Sequence, residues 1–284
     1  MREYIVLLKL RIVILLVFVS LVATIVASKG VFQPMKILIL AFAGALASAG
    51  ASVLNHYFDR DIDALADRTK DRPLPAGKVS PHKACWIGII LVGMALIVSS
   101  QLNYLTTAYI FAGALVYVLV YTIWLKRRSA ANIVIGGVAG SCAVLAGYAA
   151  MDGNTTLAAI LIALLVFLWT PPHFWAFAIV HKSGYQNALV PMLPVTQGNV
   201  RTARLILMHT ILLVQASLLL YALGYFGILY LIIAVVFGLV FITTNIKLML
   251  HPTKGRAWGS YKISGIYLVV LFTGMLLDTL VKLA

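Results

Sequence analysis

Nine stretches of this 284-residue chain are each long and apolar enough to cross a bilayer as a helix, and that repetition leaves few folds open. They lie at about 12–28, 36–55, 84–100, 104–124, 131–150, 156–180, 205–223, 228–247 and 263–281. Backbone amides in hydrocarbon have no water to bond, so such spans must close their hydrogen bonds internally as helices. A composition of 62% hydrophobic and 11% charged residues, with mean hydropathy +1.01, excludes a soluble domain of this size. The expectation is an all-α, polytopic membrane protein: a bundle of nine transmembrane helices embedded in the lipid bilayer, forming one domain over 1–284. The first span follows Arg2, Lys9 and Arg11 much as a signal peptide would. Its apolar run is long, however, and no convincing small-residue cleavage site precedes Lys29, so it counts as a membrane helix.

Charge sets the orientation. With a cytoplasmic N-terminus, nineteen of the 22 basic residues fall on inner segments, and only Lys29, Lys36 and Lys282 fall outside. Topology and the anionic inner leaflet therefore account for the net charge of +14, with no nucleic acid partner needed. The inner connections at 56–83 and 181–204 are long and polar, whereas the outer ones are short, so function is expected at the cytoplasmic side. Cys85 and Cys142 lack metal-ligand spacing and read as small buried residues.

Only eight residues are acidic, and five of them, Asp59, Asp61, Asp63, Asp67 and Asp71, fall within thirteen positions. Asn55, Asp59 and Asp63 are spaced i, i+4, i+8, so a second helix that continued about two turns past its apolar part would stack them on one face, with Asp61 turned away. Like charges on successive turns repel, and their hard oxygen ligands suit Mg²⁺ shared with a substrate phosphate. Downstream, RTKDRPLPAGKVSP places Arg68, Lys70 and Arg72 in a loop that Pro73 and Pro75 keep from being helical. Carboxylates for a metal then lie beside cations for an anion, and a magnesium-bound diphosphate satisfies both. A solvated acidic helix end paired with Arg60, Arg68 and Arg72 is the plainer alternative.

The run N-x-x-x-D-x-x-x-D followed by RTKDRPLPAGKVSP resembles the first signature of the UbiA-type intramembrane prenyltransferases. The stretches YTIWLKRRSAANIVIGGVAG at 121–140 and LWTPPHFWAFAIVHKSGYQNALVPMLPVTQG at 168–198 are similar to its heme-farnesylating branch. The resemblance implies a nine-helix bundle around a lipid-open cavity, Mg²⁺ as cofactor, and Asn55, Asp59 and Asp63 as the metal and catalytic site. It implies transfer of a farnesyl group from farnesyl diphosphate to a vinyl group of heme b with addition of water, giving heme O. Hand-over to heme A synthase or a terminal oxidase would follow. Tyr121, Lys126 and Arg127 are expected to reach the diphosphate from another wall.

Ser183-Gly184 precede Tyr185 where relatives usually carry an acidic residue. Either Lys182 contacts the diphosphate in place of one ion, or a single Mg²⁺ is bound. Leu10 and Ala143-Val144 also depart from the pattern and bear more on the heme assignment. In the sixth span Pro171 and Pro172 are expected to break the helix just before His173, an ionisable residue able to ligate heme iron. Trp169, Phe174 and Trp175 are candidates to line the porphyrin pocket. His56, His82, His181 and His251, at span ends or in loops, are expected to be solvated. The alternatives are a prenyltransferase with an aromatic, quinone-precursor or glycerol-phosphate acceptor, and a non-enzymatic transporter. The lack of a transit peptide suggests a prokaryotic cell membrane, with the active site toward the cytoplasm.

Overall fold

The computed structural model of the chain describes residues 2–281, which form helices joined by turns with no strand among them. Lys282, counted above with the outer basic residues, lies outside the described residues. Nine helices among the described residues are long and apolar enough to cross a membrane, as the sequence suggests. In chain order the helices are α1 (Arg2–Leu7), α2 (Leu10–Ala27), α3 (Pro34–Leu65), α4 (Pro81–Ser99) and α5 (Tyr104–Leu115), the last continuing as a π-helix over Val116–Leu125. Then come α6 (Asn132–Gly136), α7 (Val138–Asp152), α8 (Leu157–Val180), α9 (Lys182–Asn187), α10 (Leu193–Ala222), α11 (Ile228–Leu250) and α12 (Lys254–Val281).

Three helices outrun their apolar spans. The 32 residues of α3 measure roughly 48 Å at 1.5 Å per residue, well beyond a hydrocarbon core of ~30 Å. Its last ten residues form the polar extension that carries Asp59 and Asp63. The helix α10 begins at Leu193 rather than near 205, and α12 at Lys254 rather than 263. Apolar periodicity could not reveal these polar turns, because tertiary contacts rather than hydrocarbon stabilise them. One such contact set joins Ala66, Ile133, Trp175, Met192, Ala203, Leu248 and Ala257 into a single apolar cluster at this end of the bundle. Within α10 the backbone bends at Gly198, whose φ of 77° is open to glycine and strained for other residues.

The expected break at Pro171-Pro172 does not occur: α8 runs unbroken through both prolines. It is the most enclosed span, and protein packed on both prolines holds the helix where two backbone donors are missing. The main core surrounds it, with Ile162, Leu165, Val166 and Trp169 packed against Leu213 of α10, Phe241 of α11 and Leu271 of α12. Lipid tails are as apolar as these side chains, so close packing and buried hydrogen bonds hold the bundle rather than a hydrophobic difference. Asn245 Nδ2 donates to Thr210 Oγ1 at 2.9 Å and Ser260 Oγ donates to Asn245 Oδ1 at 2.6 Å, tying α10, α11 and α12 together.

Two further contacts fix helix positions. Asp278, buried in α12, accepts from the backbone N–H of Gly227 at 2.6 Å and Tyr230 at 3.3 Å, capping the N-terminus of α11. On the other side, α2 lies against α7 so closely that a Cβ at Gly147 would collide with the Ser20 carbonyl oxygen. That contact seats α2, and with it the residue at its head, Lys9.

Candidate active site

On the extended end of α3, Asn55, Asp59 and Asp63 share one face and are 2%, 0% and 6% exposed, while Asp61 is exposed. Burying two carboxylates and an amide demands partners. Asp59 Oδ2 accepts from Lys126 Nζ at 2.5 Å and from Asn55 Nδ2 at 2.8 Å. The Asn55 amide also donates to Thr122 Oγ1 at 2.9 Å, and its Oδ1 accepts from Lys9 Nζ at 2.5 Å. Asp63 Oδ2 accepts from Arg72 Nη1 at 2.7 Å, and its backbone carbonyl accepts from Thr69 Oγ1 at 2.8 Å. The loop after α3 therefore folds back and delivers Arg72 to the helix it has just left.

The π-helix supplies the facing wall. Its wider turn lets Thr122 Oγ1 donate to the Tyr117 carbonyl at 2.8 Å and the Lys126 N–H donate to the Tyr121 carbonyl at 2.8 Å. Tyr117 and Tyr121 stack 5.7 Å apart, and Lys126 Nζ lies 6.0 Å from the Tyr121 ring. Two buried carboxylates thus meet three cations, Lys9, Arg72 and Lys126. Burial, then the charges of Arg72 and Lys126, lower Lys9 to about 7, against the pull of Asp59 and Asp63. Burial also acts to lower Lys126, but its direct contact with Asp59 outweighs that, so it stays above its ordinary value. The two lysines differ because one touches a carboxylate and the other an amide. The surplus positive charge favours an added anion.

Whether these residues suit a divalent ion turns on Asp59. Its second oxygen, Oδ1, is buried with no hydrogen-bond partner, an unmet acceptor of the kind a cation satisfies. Among the described residues no three His, Cys, Asp or Glu side chains gather as a metal cage. That fits Mg²⁺, which usually takes one or two carboxylates and draws its other ligands from water and substrate phosphate.

Asp59 and Thr122 lie behind the lining of a cavity of about 960 Å³ that Lys9, Asn55, Asp63, Arg72, Tyr117, Tyr121 and Lys126 line at one part and Trp169, His173, Phe174 and Tyr261 at another. Trp169 stacks on His173 at 4.3 Å and donates its Nε1–H to the Ser264 carbonyl at 2.7 Å. Ser264 Oγ lies 2.7 Å from the Tyr261 carbonyl and 2.6 Å from His173 Nδ1, and when its one proton goes to the carbonyl it accepts from Nδ1–H. In that arrangement His173 carries its proton on Nδ1, and Nε2 keeps the lone pair. A second partner holding the far nitrogen is the usual arrangement around a metal-binding imidazole.

Several expected residues lie elsewhere. Arg127 is turned outward, bonded to Asp61 at 2.6 and 2.7 Å and to the Phe58 carbonyl at 2.6 Å. Lys70 pairs with exposed Asp67 at 2.9 Å. Lys182, half-buried at the start of α9, does not line the cavity, although Ser183, Gly184 and Tyr185 do. Arg68 lines it with its guanidinium 5.3 Å from the Phe177 ring. Trp175 is buried edge-on to His209 at 5.1 Å, outside the cavity lining. His56 is 2% exposed with neither ring nitrogen bonded, not solvated as expected, because the long α3 carries it into the bundle. Sequence reasoning missed Lys9, Tyr117, Thr122, Tyr261 and Ser264. Lys9 was visible only as a basic residue heading a span, which topology already explained.

A family profile described as the UbiA prenyltransferase family matches residues 16–269. The chain is 42% identical over 280 residues, 98% of its length and 94% of the relative's, to a protoheme IX farnesyltransferase of Symbiobacterium thermophilum. It is 46% identical over 237 residues, 83% of its length and 80% of the relative's, to protoheme IX farnesyltransferase 1 of Cenarchaeum symbiosum. Its fold is similar to a digeranylgeranylglyceryl phosphate synthase structure, with TM-score 0.82, 22% identity and 98% of both chains covered. A UbiA homolog from Archaeoglobus fulgidus bound to GPP and Mg²⁺ is similar with TM-score 0.70 and 16% identity, covering 96% of this chain and 99% of that one.

Proposed function

We propose, from the premise that the chain belongs to the UbiA prenyltransferase family, that it transfers a farnesyl group from farnesyl diphosphate to a vinyl group of heme b, forming heme O. It is a multi-pass membrane enzyme. One observation carries the reading: a single cavity takes in Asn55 and Asp63 of the buried α3 face and a histidine with a second nitrogen able to ligate iron.

In this reading the described end of α3 binds the diphosphate. Asn55, Asp59 and Asp63 would hold Mg²⁺, with substrate oxygens completing its shell. When bound, the ion would supply charge neutralisation on the leaving group. Arg72, Lys126 and Lys9 take up charge on the diphosphate as the allylic carbon–oxygen bond breaks and its electron pair leaves with oxygen. Lys70, Arg127 and Lys182 do not line the cavity and have no part here.

The stacked Tyr117 and Tyr121 offer aromatic faces beside the forming allylic cation, which favours positive charge without supplying a nucleophile. Apolar walls keep water from that cation until the vinyl group reaches it. The vinyl π electrons form the new carbon–carbon bond, and the cation left on the acceptor takes hydroxyl from water, releasing a proton. His173 holds the acceptor through Nε2 on iron, with Trp169 stacked beside it. The whole chain acts as one intramembrane domain in the cell membrane, its site facing the cytoplasm, a reading supported by the basic inner segments.

The test is incubation of purified protein with Mg²⁺, farnesyl diphosphate and heme b, followed by mass analysis. Heme O is the expected product. Diphosphate release with a prenylated quinone precursor, and no modified heme, would assign a different acceptor.

A further inference from the structure

Beyond the residues given to diphosphate and iron, one stretch of the cavity wall has its own pattern. His173 and Phe177 on α8, and His181 just past its end, follow at four-residue intervals, spanning roughly 12 Å. The rings are continuous: Tyr261 is 4.4 Å from His173 and 5.2 Å from Phe177, and Phe177 is 4.3 Å from His181. An aromatic wall therefore runs from the iron-ligand candidate outward.

Cations close its outer end. Arg68 stands 5.3 Å from the Phe177 ring, and Lys254, the first residue of α12, lines the same cavity. Burial, with both cations nearby, keeps the His181 imidazole below its ordinary value. The four ion pairs among the described residues engage Asp59, Asp61, Asp63 and Asp67, and neither Arg68 nor Lys254 takes part in any of them. Exposed basic residues are usually a solvated surface. Here they converge at the end of a continuous aromatic wall, beside a cavity that a planar macrocycle has to occupy. A porphyrin of the heme b type carries two carboxylate side arms on one edge and its vinyl groups across the ring.

We propose that Lys254, with Arg68 and His181 beside it, binds the carboxylate side arms of the porphyrin acceptor. This rests on the reading that the acceptor is heme b, and it adds an orientation. Anchoring the carboxylates at the mouth turns the vinyl-bearing edge inward, and ligation of iron by His173 fixes the plane against the aromatic wall.

The experiment titrates the full-length protein with ferric heme b and with its dimethyl ester, following the heme absorbance. It compares wild type, Lys254→Gln and Lys262→Gln, the last removing the same charge from an α12 residue outside the cavity. Wild type should bind the free acid more tightly than the ester. Lys254→Gln should lose about five- to tenfold in affinity for the acid, the scale of one partly exposed charge-assisted contact, with none lost for the ester. Lys262→Gln should match wild type, and affinity for farnesyl diphosphate should be unchanged in both variants. Equal loss for acid and ester, no loss, or a loss only for farnesyl diphosphate would overturn the proposal. Wild type that binds neither form of heme would instead overturn the heme reading beneath it.

Discussion

Ser264 Oγ lies 2.6 Å from His173 Nδ1 and 2.7 Å from the Tyr261 carbonyl, so one α12 hydroxyl holds the near nitrogen of an α8 imidazole in place. Removing that hydroxyl leaves the ring free to turn. Ser264→Ala should weaken heme binding by about tenfold, the lower end of what outer-shell partners of metal-binding histidines contribute. The expected readout is a raised KM for heme and an altered heme absorption band, with KM for farnesyl diphosphate unchanged. An unaltered band would separate Ser264 from His173.

Lys126 and Asp59 form a buried pair in which one partner is wholly enclosed. Losing either alone strands a charge, and Lys126→Met should destabilise the protein by about 3–5 kcal/mol. The double variant Asp59→Asn, Lys126→Met should recover much of that stability in a denaturant titration yet stay inactive. Recovery of activity along with stability would reduce the pair to a structural role.

Arg127 is the counter-case. Its partner Asp61 is exposed and both face away from the cavity, so Arg127→Ala should cost at most ~1 kcal/mol and change turnover less than about threefold. Steady-state kinetics on that variant beside Lys126→Met decides which of the two neighbouring cations serves the diphosphate.

Much of this arrangement could be read from the chain. Hydrophobic run length found all nine spans, because in a bilayer it reflects the physical requirement itself. The i, i+4, i+8 spacing of Asn55, Asp59 and Asp63 set them on one face as soon as α3 was long enough, and His173 follows from being ionisable within a span. What stayed hidden depends on packing between distant segments. Lys9 reaches Asn55 across 46 positions, and Ser264 reaches His173 across 91. No local pattern marks either one. Pro171 and Pro172 misled for the same reason, since the protein packed around α8 holds a helix that its own sequence argues against.

Asp278 is buried for structure rather than chemistry. Its carboxylate meets the first N–H groups of α11, and Asp278→Ala should cost about 1.5–3 kcal/mol in an unfolding titration, the range for hydrogen bonds to a charged group. Turnover per folded molecule should not change. A large drop in turnover would tie that helix cap to the site.

Chelation tests the metal without altering the chain. Treatment with EDTA should stop diphosphate release and leave the heme absorption band of the bound acceptor in place, because His173 and the α3 face are separate parts of the cavity. Added Mg²⁺ should restore turnover. Loss of the heme band on chelation would mean the two parts are coupled.

The most direct measurement is heme O formation by Asp59→Asn, Asp63→Asn beside wild type, in detergent with Mg²⁺, farnesyl diphosphate and heme b, after matched unfolding midpoints establish that both are folded. Wild type should form heme O, and the variant should fall by at least about a hundredfold, the scale of losing preorganised charge stabilisation. A folded variant that turns over at the wild-type rate would contradict the account.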